Sequence, residues 1–149
     1  MRARLAAAVF LAFSGLSLPV RAEQQPDLMS DVGALMGVRL YANGLMDYCF
    51  DKVDPSPAFK ETSENWKVRN LEDMAVVDKV FVTLPVQAAD LANLLQVVSN
   101  TITLDMAGAP SDLELCKMAS ADFDRGAYDV KVKAPEQLAR VKAAAAKLP

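Results

Sequence analysis

From Asp27 to Phe50 the apolar side chains return with a helical beat. Leu28, Leu35, Ala42 and Cys49 recur every seven residues, with Val38 and Leu45 between them. On a 3.6-residue period these positions share one face, which predicts a first helix with Cys49 on its core stripe. The stretch "VDPSPAFKETSENW" then breaks and restarts the chain. Pro55 disfavours helix at Asp54, Ser56 can cap, and Pro57 suits a first helical position. Phe59, Ser63, Trp66, Asn70, Met74, Val77 and Phe81 continue at helical spacing. The pattern fits one long helix over 57–82, or two with a joint near Arg69–Asn70.

A third helix is expected with Pro85 as an early residue and Ala88, Leu91, Leu95, Val98 and Ile102 as its inward stripe. The β-branched run Thr101–Thr103 weakens its end, and "AGAP" at 107–110 stops it. Ser111 followed by Glu114 reads as a capping box for a fourth helix. Leu113, Cys116 and Phe123 supply its inward side, and Gly126 a C-terminal stop. Pro135 opens an alanine-rich helix to about Lys147, whose small anchors, Leu138, Val141, Ala145 and Leu148, predict a peripheral position. No strand pattern emerges. The expected fold is all-α, a single small bundle of four to five helices.

The first residues change the picture. Arg2 and Arg4 precede an apolar run from Leu5 to Leu18, Pro19 breaks it, and Val20 and Ala22 occupy the small positions before a cut. That is the organisation of a signal peptide over 1–22, which leaves residues 23–149 as one helical domain. The run is short for a membrane span, and residue 23 is not a cysteine that could carry a lipid. Removing Arg2, Arg4 and Arg21 shifts the formal charge from −3 to −6. An acidic chain without a basic run is a poor ligand for nucleic acid or an anionic membrane. The expected location is periplasmic or secreted.

Export in turn decides the two cysteines. Outside the cytoplasm a lone pair of thiols ends as a disulfide, so Cys49 is expected to join Cys116. Histidine is absent from the chain, which removes the imidazole base of a cysteine nucleophile and the Ser-His-Asp arrangement. A zinc site would need two cysteines and two carboxylates, an unusual set. No phosphate-binding loop occurs and no carboxylate pair is marked as facing, so neither an enzyme nor a metal or cofactor is expected.

The first helix carries the main candidate surface. Gly33, Gly37 and Gly44 lie close together around the helix, with Met29, Met36 and Leu40 beside them. Interior glycines cost about 1 kcal/mol each relative to alanine, so close approach of another backbone should offset them. That backbone belongs either to the same domain or to a partner docking on an adaptable Met- and Gly-rich face. Trp66 and Arg69 form a second candidate, read either as a binding hot spot or as a core tryptophan beside a solvent-facing arginine. Asp122, Asp124 and Asp129 surround Gly126, but the glycine and the last acid miss the positions a calcium loop needs.

A signal peptide, a helical domain and one disulfide are the shared organisation of two classes of periplasmic protein. One comprises immunity or inhibitor proteins that bind a secreted effector; the other comprises acid-stress chaperones, whose paired carboxylates lose their stabilising role as pH falls. The leading expectation is a non-enzymatic protein that binds a protein partner or self-associates. The alternatives are an ATP-independent acid-stress chaperone and an envelope assembly accessory.

Overall fold

The computed structural model describes residues 27–149, and the expected leader at 1–22 lies outside the described residues. Among the described residues the chain is all-helical: α1 (Leu28–Tyr48) runs into a π turn (Cys49–Val53), followed by α2 (Pro57–Phe81), α3 (Ala88–Gly108), α4 (Asp112–Asp124), α5 (Val130–Lys133) and α6 (Pro135–Ala145). Asp27 caps α1 by accepting a hydrogen bond from the Met29 N–H at 3.0 Å. The helix widens at its end, where the Asp54 N–H reaches back five residues to the Cys49 carbonyl at 2.9 Å. Asp54 itself is extended, the conformation that the following Pro55 favours.

α2 is one uninterrupted helix, because Asn70 turns its amide inward instead of breaking the backbone. α1 is the axis of the bundle, with α2, α4, α5 and α6 gathered round one side and α3 laid on the other. The core fills the first side: Val32, Leu35, Leu45 and Met46 of α1 meet Trp66, Val77 and Val80 of α2, Phe123 of α4 and Val141 of α6. Each such apolar side chain, once buried, contributes about 1.5–3 kcal/mol. The Cys49–Cys116 disulfide ties the end of α1 to α4, with both sulfurs fully buried and Cα atoms 5.6 Å apart.

Four features differ from expectation. α3 starts at Ala88 rather than near Pro85, because Gln87 and Asp90 form a reciprocal capping box that sets its first turn. It also runs through the Thr101–Thr103 stretch, where both threonine hydroxyls bond to carbonyls four residues back at 2.9 Å. Its inward row is Leu94, Val98, Ile102 and Met106, whereas Leu91 and Leu95 face solvent, as does Leu113 of α4. Finally α6 is central and not peripheral. Leu138, Val141 and Ala145 are buried against α1 and α2, and the alanines let the helix approach closely. Two ion pairs fix it there. Arg140 grips the buried Asp31 with two 2.8 Å bonds, and Lys142 meets Asp73 at 2.6 Å.

α5 is an element the sequence pattern did not announce. It follows the tight reversal at Gly126, whose φ of +76° lies in the left-handed region that glycine adopts without strain. Asp129 then starts the turn with its carboxylate folded inward, so the acidic cluster at 122–129 is a structural corner.

Candidate functional site at the seam of α1 and α3

The glycines of α1 lie beneath α3. A Cβ placed at Gly37 would meet Leu94 Cδ1 at 3.6 Å, and one at Gly44 would meet Ile102 Cδ1 at 3.1 Å. Gly33 faces open space, with nothing within 4 Å of such an atom. No backbone approaches these glycines as the sequence led us to expect; side-chain tips of α3 reach two of them, within the chain, and none reaches Gly33. α3 gains little cover in return. It has no buried residue, and Leu91, Leu95, Val97 and Leu104 are 40%, 48%, 61% and 71% exposed.

Because α3 rests on a narrow line, grooves open along both flanks of the contact. The first, of about 570 Å³, is bordered by Gly33, Gly37, Tyr41, Leu94, Val98 and Lys133. The second, of about 620 Å³, is bordered by Leu40, Gly44, Asp47, Tyr48, Leu95 and Ile102. A smaller hollow of about 110 Å³ at the α3 entrance is lined by Met36 and by Gly33 again. Five residues singled out from the sequence, Gly33, Met36, Gly37, Leu40 and Gly44, thus meet along one seam.

The polar groups of the seam are few and placed at its edges. The Tyr41 hydroxyl donates to Asp105 at 2.6 Å, the link from α1 to the C-terminal half of α3. Burial, then the bond to Asp105, pushes the Tyr41 phenol well above the ordinary tyrosine range. Tyr48 donates to Asp112 at 2.9 Å, and that bond likewise raises its phenol. The Tyr128 ring stacks with Tyr41, at 5.5 Å, and with Phe123, at 4.5 Å, and the Lys133 ammonium lies 4.4 Å from its centroid. Asn43 contributes a buried side-chain oxygen without a hydrogen-bond partner beside the second groove.

Trp66 and Arg69 sit elsewhere, at the junction of α2, α4 and α5. Trp66 is only 2% exposed, donates its indole N–H to the Tyr128 carbonyl at 3.0 Å and meets Phe123 edge-on. That placement makes it a core anchor, with its polar tip satisfied. Arg69 does not face solvent freely: it pairs with the buried Asp129 and donates to the Phe123 carbonyl. Asn70 completes the cluster, donating to Asp129 at 3.1 Å and accepting from the Val130 N–H at 2.8 Å.

Asp129 is thereby occupied, and among the described residues no group of three acidic or cysteine side chains is arranged to hold a metal. The sequence reading passed over Tyr41, Tyr128 and Lys133, since tertiary folding alone brings the 128–133 corner to α1. It also passed over the outward face of α3. A signal for that face exists: Leu91, Leu94, Leu95, Val97, Val98, Ile102 and Leu104 spread round more of the helix than one buried stripe requires. No protein-family model, curated protein or solved structure matches the chain.

Proposed function

We propose that this is a non-catalytic, exported protein that binds a protein partner through the outward face of α3 and the seam beside it. One observation carries the reading: a 21-residue helix with no buried residue presents four large aliphatic side chains to solvent. Val97 and Leu104 lie on the outward side and Leu91 and Leu95 border the hollows beside the seam, and exposed aliphatic surface of this kind on a small domain commonly marks an interaction site. A rigid helix face flanked by grooves suits insertion of a partner's side chains. The buried disulfide, together with the leader expected over 1–22 from the sequence, supports a periplasmic or secreted setting. Within that setting, an inhibitor or immunity-type protein acting on a secreted effector is the reading we favour over an envelope assembly accessory.

The test is affinity capture with the oxidised protein at pH 7, from periplasmic and secreted fractions, repeated with Leu95→Asp/Leu104→Asp. One stoichiometric partner, retained by the parent and lost by the double variant, is the expected result. A complex indifferent to both aspartates would move the interface off α3. The shallow seating of α3 also favours a second reading, an acid-stress chaperone. Release of α3 at low pH would uncover Leu94, Val98, Ile102 and Met106 while the disulfide held the remaining helices together. Reversible binding of an apolar dye near pH 3, with suppressed aggregation of unrelated proteins, is its signature.

A further inference from the structure

We propose that the groove between α1 and α3 on the Lys133 side binds a free, single-chain aliphatic carboxylate. Its alkyl chain would lie along Gly33, Gly37 and Leu94, and its carboxylate would meet the Lys133 ammonium. The groove's volume of about 570 Å³ falls in the range of small-molecule sites, about 300–1,000 Å³. Its composition fits too, since aliphatic side chains and bare backbone line it and polar groups are few. The open space at Gly33 lets a ligand lie directly on the α1 backbone.

The charge of the site selects the class of ligand. Lys133 is the one charged residue bordering this groove, and it has no salt-bridge partner among the described residues. Its ammonium rests on the Tyr128 ring, which uses the π face and leaves N–H donors for an anion. The opposite groove is an internal control. It has a similar size and similar apolar walls, but its one charged lining residue is Asp47. An anionic amphiphile is therefore attracted to one flank of α3 and repelled from the other. This groove is part of the seam beside the proposed protein-binding face, and its test uses the purified protein alone, so it stands or falls without the partner.

Isothermal titration of the oxidised protein with laurate, dodecanol and dodecyltrimethylammonium, each below its micellar concentration, tests the assignment. Laurate should bind at one equivalent and more tightly than the neutral or cationic chain of equal length. Lys133→Ala should weaken laurate about fivefold, the scale of a partly exposed ion pair, and leave dodecanol unchanged. Gly33→Leu puts a branched side chain into the groove from a position where a Cβ has open space, and should abolish binding of both. Asp47→Ala should change nothing. Equal affinity for laurate and dodecanol, or insensitivity of laurate to Lys133→Ala, overturns the proposal. So does the absence of saturable binding, or co-sedimentation with phosphatidylglycerol vesicles in place of free laurate. Lys133 is exposed, so its variant folds and stays informative even if the filled-groove variant does not.

Discussion

α1 presents two unlike sides to the rest of the molecule. Toward α2, α4 and α6 it offers Val32, Leu35, Leu45 and Met46, and the elements that receive them are buried in turn. Disulfide, buried Asn70 and the Asp31–Arg140 pair reinforce that side. Toward α3 it offers glycines, and the answering helix remains exposed along its length. Packing depth, rather than hydrophobicity, separates the two. α3 is among the more apolar helices in the chain, yet it rests on one row of side chains. A helix held this way contributes little to the stability of the fold, and regions with few buried contacts open most easily. Its apolar residues are accordingly better explained by what they can bind than by what they hold together.

The deep side should therefore fail first under mutation. Replacing both cysteines, Cys49→Ala/Cys116→Ala, removes a link between positions 67 residues apart and should cost about 4 kcal/mol. Denaturant unfolding of the oxidised parent and the variant measures this, and a loss below about 1 kcal/mol would show that the link constrains the unfolded chain little. Next in size comes Asn70→Ala. It strands the Val130 N–H and removes one donor from Asp129 inside the core, at about 2–3 kcal/mol. The same experiment on Leu104→Asp, on the outer face of α3, should show a change within about 0.5 kcal/mol. If Leu104→Asp costs as much as Asn70→Ala, the two sides are not different in kind.

How much of this was legible beforehand follows the same division. The helices and the disulfide were readable because each depends on local spacing or on a chemistry with few alternatives, whereas the glycines drew side chains of α3 and not the backbone expected of them. A seven-residue recurrence fixes a face, and two exported cysteines have one ready fate. What escaped depends on which of several apolar rows meets the core. Leu91 and Leu95 look as good an inward row as Leu94 and Val98, and only the position of α1 decides between them. α6 was misjudged for the opposite reason: alanines are weak anchors by size, but they permit the close approach that buries Leu138 and Val141. The candidate site divides likewise. The α1 half was visible in its glycines, whereas Lys133 and Tyr128 arrive through a reversal at Gly126 that brings no pattern of its own.

The glycines offer a graded test of the seam. Gly126→Ala should destabilise by about 1 kcal/mol or more, since the left-handed backbone penalises any Cβ and Asp129 Oδ2 lies 2.9 Å from where it would sit. Gly33→Ala should do the reverse and stabilise by up to about 1 kcal/mol, because its space is open and alanine prefers helix. Gly37→Ala should follow closely, at ordinary contact with Leu94. Gly44→Ala should be nearly neutral, the helix preference being offset by the displacement of the Ile102 tip. Thermal unfolding of the four variants gives the order. Destabilisation at Gly33 equal to that at Gly126 would mean that α3 seats more deeply than the grooves indicate.

A single hydrogen bond tests what fastens α3 at its far end. The Tyr41 phenol stays protonated to higher pH than an ordinary tyrosine, chiefly through burial and then through its bond to Asp105. A group whose folded pKa is raised stabilises the fold fully below its unfolded value, about 10 for tyrosine, and loses that effect as pH climbs beyond it. Between pH of about 9 and 11 the parent should therefore lose more stability than Tyr41→Phe, which has no proton to release. At neutral pH the phenylalanine variant should be weaker by about 0.5–1.5 kcal/mol, the ordinary worth of one hydrogen bond. Amide exchange locates the loss: faster exchange in α3, with α1 and α2 unchanged, is expected if this bond closes the seam. Parallel alkaline curves for the two proteins, with uniform exchange, would instead assign the docking of α3 wholly to its row of aliphatic contacts with α1.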